Sequence, residues 1–162
     1  MKLKSHFLVS IIFSTLFFVI FKSWKISVSS FLSGVLIDCD HIFDYFWEFR
    51  NRFRVKEFFD VYYNGKMLFS MLVFHSWELL ALLSICAFSM SWNPWIIGVT
   101  IGFTQHIVLD QIFNKPSRCY KPNRWIYFFF WRLKNDFNMK KMFPKLDCYS
   151  CQYYNPQTSS HL

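Results

Sequence analysis

The sequence between residues 26 and 47 is ISVSSFLSGVLIDCDHIFDYFW, an apolar run whose second half contains Asp38-Cys39-Asp40-His41-Ile42-Phe43-Asp44. A transmembrane helix needs about 20 consecutive apolar residues, so the length of this run predicts a membrane span. Ionisable groups inside a span are costly, at roughly 2.5–3.5 kcal/mol each on insertion scales, and each one requires a partner or a function. A divalent metal ion satisfies several of them together, because it accepts both neutral imidazole and carboxylate ligands.

Three further apolar stretches lie outside this run, at about residues 6–21, 67–90 and 95–113. Charged residues make up 17% of the 162-residue chain, below the roughly 25% that is usual in soluble domains. The first stretch is short, but no small-x-small cleavage site follows it, so we expect a retained span rather than a cleaved leader. The expected fold class is all-α: an integral membrane four-helix bundle in residues 1–114, followed by a basic, aromatic tail in residues 115–162.

The basic residues predict the orientation of this bundle. With four spans, all but two of the 18 Lys and Arg residues lie on one side, the exceptions being Lys22 and Lys25. The positive-inside rule then predicts a multi-pass protein of the cytoplasmic (inner) membrane with both termini in the cytoplasm. Aromatic residues accompany the charges in the second loop (50–66) and in the tail, as is typical of interfacial helices. We expect both segments to contact anionic lipid headgroups, and we expect no nucleic acid partner.

On this topology the polar groups fall together in the cytoplasmic half of the membrane. They are His6, residues 38–44, His75, His106 and Asp110. His106 and Asp110 are four residues apart and His75 and Glu78 are three apart, so each pair shares a helix face. A bundle with such inward-facing pairs can enclose one or two ions.

Simpler roles stay open for several of these residues. A lone membrane histidine such as His6 often makes only a helix–helix hydrogen bond. Asp38 and Asp44 can lie at the headgroup boundary, and Glu78 can be a buried partner of His75 that does not touch metal.

Four segments carry a resemblance to a known family. They are Ser5-His6-Phe7-Leu8, Gly34-Val35-Leu36-Ile37-Asp38-Cys39-Asp40-His41, Phe74-His75-Ser76 and Gly102-Phe103-Thr104-Gln105-His106-Ile107-Val108-Leu109-Asp110. Over about residues 5–113 they resemble the YdjM-like family of inner-membrane metal-dependent hydrolases. The resemblance implies metal ligands at His6, Asp38, Asp40, His41, His75, His106 and Asp110. The chain departs from the family pattern at Ile37, where Pro is usual, and at residues 71–74, where the usual Arg and Thr are missing.

The expected function is a membrane-bound metal-dependent hydrolase. It would cleave an ester, amide or phosphoester of a small amphiphilic substrate at the cytoplasmic membrane boundary, using water activated by the ion. His6 and Asp38 would complete or orient the metal shell, which the other five ligands would form. Mixed nitrogen and oxygen ligands favour zinc, with manganese or iron as alternatives. Glu78 is the candidate proton acceptor.

Two other function classes stay open. One is a metal- or proton-handling transporter that uses the same acids and histidines as a relay. The other is a non-catalytic membrane scaffold.

The cysteines add little to this interpretation. Cys148 and Cys151 form a lone Cys-x-x-Cys without a second pair, so no zinc or redox role is assigned to them. We expect no disulfide.

Overall fold

The computed structural model describes residues 3–49, 53–63, 67–114 and 124–143, and within these ranges the chain is helical. The α-helices are α1 (Leu3–Phe21), α2 (Trp24–Leu36), α3 (Asp40–Phe49), α4 (Val55–Tyr63), α5 (Trp77–Ser89), α6 (Pro94–Phe113), α7 (Phe129–Lys134) and α8 (Met139–Met142). Two 3₁₀ turns, Ile37–Cys39 and Arg124–Tyr127, precede α3 and α7. No strand occurs in the described ranges, where Phe69 and Asn138 form an isolated antiparallel bridge. The predicted all-α class is confirmed for this part of the chain.

Helices α2 and α6 pack unusually closely because small residues line their contact. A Cβ atom added to Gly98 would lie 1.8 Å from the Oγ atom of Ser29, and one added to Gly102 would lie 2.1 Å from the Oγ atom of Ser33. The Ser33 hydroxyl donates a hydrogen bond across the contact to the carbonyl of Val99, at 3.2 Å. Small residues on both helices are the usual means of bringing two apolar helices into backbone contact.

The remaining long helices pack on either side of this pair. Helix α1 packs against α2, and the Ser27 hydroxyl donates to the carbonyl of Ser14 at 2.8 Å. Helix α5 packs against α6, while its outer face exposes large apolar side chains such as Leu82, Ile85 and Phe88. The chain therefore presents apolar side chains outward and keeps small and polar residues between its helices.

Two helical segments are long and apolar enough to cross a membrane, Trp24–Phe49 and Pro94–Phe113. The first comprises α2, the 3₁₀ turn and α3 as one 26-residue run. The apolar stretches of α1 and α5, Ser5–Phe21 and Trp77–Ser89, are shorter.

Residues 67–76 are not helical, which corrects the expected helix over 67–90: α5 begins only at Trp77. Ser76 caps that helix, since its Oγ atom accepts a hydrogen bond from the backbone N–H of Leu79 at 3.3 Å. The segment 67–76, called the inner strap below, lies against α3, and carboxylates of α3 accept its backbone N–H groups. Irregular backbone is tolerated inside an apolar bundle only where its polar groups are satisfied in this way.

The loop and the tail also contain helices that contact the rest of the chain. Helix α4 lies within the second loop, and its Phe58 and Val61 are buried against Tyr45 and Phe49 of α3. In the tail, Tyr127 is buried with Ile107 and other residues of the main helices. The tail residues 124–143 therefore pack onto the helices, whereas Cys148, Cys151 and the polar end from residue 152 lie outside the described residues.

Candidate metal centre

Six of the seven predicted ligands converge in the structure. They form two adjoining groups of three, His6, His106 and Asp110 in one and Asp38, His41 and His75 in the other. Within each group the ligand atoms lie within 4.8 Å of one another. Each group offers two imidazoles and one carboxylate, which is a donor set used by zinc and by iron in proteins.

Helix α6 presents His106 and Asp110 on the face that continues the Gly98–Gly102 line. The Nδ1 atom of His106 lies 2.8 Å from the carbonyl oxygen of Gly34, which can only accept a hydrogen bond. Nδ1 therefore carries the proton, and the lone pair of Nε2 points into the centre. The close approach of α2 and α6 is what brings this carbonyl within reach.

Helix α1 contributes His6, three residues after the helix begins. Its Nε2 atom lies 3.0 Å from Oδ1 of Asp110, and its ring stacks on that of His106 with centroids 4.2 Å apart. His6 is buried, as are His106 and Asp110. The contact with Asp110 holds both side chains within the cluster.

The 3₁₀ turn Ile37–Cys39 places Asp38 at the middle of the cluster. Its Oδ1 atom lies 3.3 Å from Nε2 of His106, 3.6 Å from Nε2 of His75 and 3.8 Å from Nε2 of His41. One carboxylate oxygen therefore faces three imidazoles from three different parts of the chain.

His75 comes from the inner strap rather than from a helix. Its Nδ1 atom lies 3.2 Å from Oδ2 of Asp40, which leaves Nε2 directed at Asp38 and Asp110. A carboxylate behind a histidine in this way fixes the ring and raises its basicity toward a metal. The structure thus places Asp40 outside both groups of three, as a residue that orients His75.

The distances at the centre fit a cation better than they fit direct hydrogen bonds. The Nε2 atoms of His75 and His106 stand 3.3–3.7 Å from Oδ1 of Asp38 and Oδ2 of Asp110. Hydrogen bonds between nitrogen and oxygen are shorter, at about 2.7–3.2 Å. Two donors about 2.0–2.2 Å from one tetrahedral ion are roughly 3.3–3.6 Å apart.

Two of these nitrogens are also buried without a hydrogen bond. They are Nε2 of His75 and Nε2 of His106, and both rings are at most 2% exposed. Buried polar atoms in native proteins nearly always have a partner, so an orphaned pair at one point indicates a missing one. A divalent cation held by these histidines and carboxylates would supply it.

Glu78 makes hydrogen bonds to the tail rather than to the cluster. Its two carboxylate oxygens accept hydrogen bonds from the backbone N–H groups of Phe129, at 2.9 Å, and Phe130, at 3.2 Å. The expected His75–Glu78 helix pair does not form, because His75 precedes the first residue of α5. Glu78 instead attaches the first turn of α7 to α5.

Two acids of α3 have a role that sequence reasoning missed. Asp44 accepts from the backbone N–H of Met71 at 3.0 Å, and Glu48 accepts from Leu68 and Phe69, each at 3.0 Å to Oε2. Together with Asp40 they form one acidic row along α3 that holds the inner strap. The spacing of these acids, one at every fourth position from 40 to 48, is the signal that could have indicated a shared face.

Arg132 was also missed, and it holds the other side of the strap. Its guanidinium is fully buried and donates to the carbonyls of Leu72, at 2.7 Å, His75, at 3.1 Å, and Ile126. Burial lowers the pKa of Arg132 to about 10, although the nearby carboxylates oppose that shift. The side chain therefore remains a cation at neutral pH. No local motif marks it, because its partners in the strap lie about sixty residues away in sequence.

No family model, curated protein or solved structure matches this chain. The resemblance to the YdjM-like family thus depends on the four segments quoted above.

Proposed function

We propose that this chain is a membrane-embedded, metal-dependent hydrolase of the YdjM-like kind. The observation that carries the proposal is the pair of adjoining groups, each with two imidazoles and one carboxylate. Three protein donors per ion leave a position free for water or substrate, as in catalytic zinc sites, whereas structural sites are closed by four. Zinc is the favoured metal, and manganese and iron are the alternatives.

The same helices support a membrane setting. Two segments, α2–α3 and α6, are long and apolar enough to cross a membrane, and we propose α1 and the shorter α5, extended by the inner strap, as two further crossings. His6 lies near the start of α1, whereas His106 and Asp110 lie near the end of α6. The cluster therefore lies at one end of the bundle, which the distribution of Lys and Arg assigns to the cytoplasmic side.

A bound divalent ion would supply two things, polarisation of a substrate oxygen and a lowered pKa of a water molecule. The protein holds the ligand side chains in position. Gly34 and Asp40 fix the rings of His106 and His75, so that both Nε2 atoms point at the centre. Tyr62 lies at the edge of the cluster, where its hydroxyl, 3.1 Å from Nε2 of His41, holds that ring in place.

The first test is metal analysis of the purified protein in detergent. We expect one or two ions per chain. The double variant His106→Ala, Asp110→Ala removes two of the three donors of one group, so the ion bound by that group should be lost. Asp136→Asn is the matched control, because Asp136 is an exposed carboxylate outside the cluster. Unchanged metal content in the double variant would defeat the assignment.

Stoichiometry and turnover then separate the function classes. One tightly held ion per chain, bound by His75, His106, Asp38 and Asp110 together, would leave no free position and would indicate a structural site. Hydrolysis of ester or phosphoester amphiphiles that depends on added metal supports the hydrolase. Metal or proton flux through proteoliposomes without hydrolysis would favour a transporter instead.

A further inference from the structure

An apolar cavity of about 280 Å³ adjoins the metal centre. It lies between the end of α2, the start of α3 and one face of α4. Its walls are formed mainly by Val35, Ile42, Phe58, Phe59 and Tyr63. Ligand pockets are predominantly apolar with a few polar groups at fixed positions, and this cavity has that composition.

Two of the polar groups that line the cavity belong to the metal centre, and the others include the hydroxyls of Tyr62 and Tyr63. Asp38 and His41 line it, and they are the two members of the cluster whose side chains keep accessible area, at 13% and 12%. The other four members are exposed by 4% or less. A molecule that reaches the centre can therefore do so through this cavity.

The residues that line the cavity indicate which kind of ligand can bind there. Apart from Asp38 and His41, the lining residues carry no charge, and α4 contributes a row of aromatic rings to it. A sugar or a peptide would lose hydrogen bonds to water on entering such a space, whereas a hydrocarbon chain would gain from leaving water. The volume of about 280 Å³ gives room for part of one hydrocarbon chain.

We infer that the cavity binds one hydrocarbon chain of the amphiphilic substrate and places its polar junction at Asp38 and His41. This inference rests on the proposed hydrolase function, because the bound hydrocarbon chain is taken to be part of the substrate. Ile42 and Phe59 are then specificity-determining residues, since their size sets the space available to the chain.

Photolabelling tests the cavity directly. The probe is a phospholipid with a diazirine in one acyl chain, added to the full-length protein in lipid nanodiscs, and labelled peptides are mapped by mass spectrometry. The expected result is strong labelling of the peptide that contains residues 58–63. Ile42→Trp fills the cavity and should reduce that labelling to background. Leu82→Trp, on the exposed face of α5, is the matched control and should leave it unchanged.

A second variant keeps the test decisive if Ile42→Trp misfolds. Phe59→Ala enlarges the cavity and should shift preference toward longer acyl chains, measured by competition with lipids of graded chain length. Equal labelling of residues 58–63 and of the exposed α5 face would overturn the cavity assignment. If the cavity is labelled but the protein binds no metal, the proposed hydrolase function fails, and the bound lipid is not a substrate. The cavity would then still be a binding site for a hydrocarbon chain.

Discussion

At the residue scale, the two imidazoles at the centre are each held by a group behind them. Nδ1 of His75 faces Asp40 and Nδ1 of His106 faces the carbonyl of Gly34. Such outer contacts fix the tautomer and ring orientation of a metal ligand. The proposed metal site therefore depends on side chains and carbonyls that would not themselves be ligands.

Asp40→Asn tests this dependence. The amide keeps an acceptor for the His75 ring but loses the negative charge, so metal affinity should fall by about 10–100-fold while the number of sites stays the same. Competition with a chelator at graded metal concentration measures the change, and Asp136→Asn serves as the control. Loss of one site that excess metal does not restore would mean that Asp40 is itself a ligand.

Sequence spacing predicted most of the cluster but not these roles. The pair His106 and Asp110 was predictable, because both lie on one uninterrupted helix where a separation of four residues defines a face. Asp38, in the 3₁₀ turn at residues 37–39, lies among the imidazoles, whereas Asp40 lies behind His75, and the spacing of the two acids did not indicate this difference. Neither that turn nor the late start of α5, which separates His75 from Glu78, has a signal in the apolar pattern.

At the element scale, the inner strap is held between the acids of α3 and Arg132 of α7. Arg132→Met removes the guanidinium donors to the carbonyls of Leu72 and His75. The Leu72 carbonyl keeps the backbone N–H of His75 at 3.1 Å, whereas a buried carbonyl left without a donor, as at His75, costs about 1–3 kcal/mol. We expect a lower midpoint of thermal unfolding in detergent and weaker metal binding, because His75 loses its support. Lys134→Met, at an exposed position of the same helix, is the matched control because it also removes one positive charge. An unchanged midpoint in Arg132→Met would contradict this account of the strap.

The contact of α2 with α6 is the second element on which the site depends. Gly102→Val would place side-chain atoms where the backbone of α2 lies, and overpacking of this kind costs typically about 1–3 kcal/mol. The separation should also withdraw the Gly34 carbonyl from His106, so metal affinity should fall together with stability. Val108→Leu, on the exposed side of α6, is the control for a change in side-chain size. Retained stability and metal affinity in Gly102→Val would show that the close contact is not required.

Helix positions were predictable where the apolar sequence of a segment is enough to determine its structure. The apolar lengths located α1, α6, the combined run of α2 and α3, and the end of α5 to within a few residues. The inner strap was expected to be helical because its composition matches that of the helix that follows. Its conformation is instead determined by partners distant in sequence, the acids of α3 and Arg132, whose positions a local pattern does not contain.

At the scale of the whole molecule, the cluster and the Trp24–Trp95 contact lie toward opposite ends of the long helices. The two indole rings pack edge to face with centroids 5.3 Å apart, next to the α1–α2 and α5–α6 turns. Tryptophan is enriched at membrane interfaces. The proposed topology therefore places this end at the outer surface and the metal centre at the cytoplasmic surface.

Single cysteines introduced into a cysteine-free background test that topology. Ser91→Cys, in the α5–α6 turn, should react with a membrane-impermeant maleimide in intact cells. Asp136→Cys, in the tail, should react only after the membrane is opened. Protection of both positions in intact cells, or labelling of Asp136→Cys from outside, would contradict the proposed orientation.

X-ray absorption at the metal edge of the purified protein tests the proposed metal centre itself. We expect a first shell of nitrogen and oxygen only, with imidazole scattering that weakens in His75→Ala. A shell dominated by sulfur, or one that His75→Ala leaves unchanged, would place the metal elsewhere and would contradict the assignment of the histidine–aspartate cluster as the metal centre.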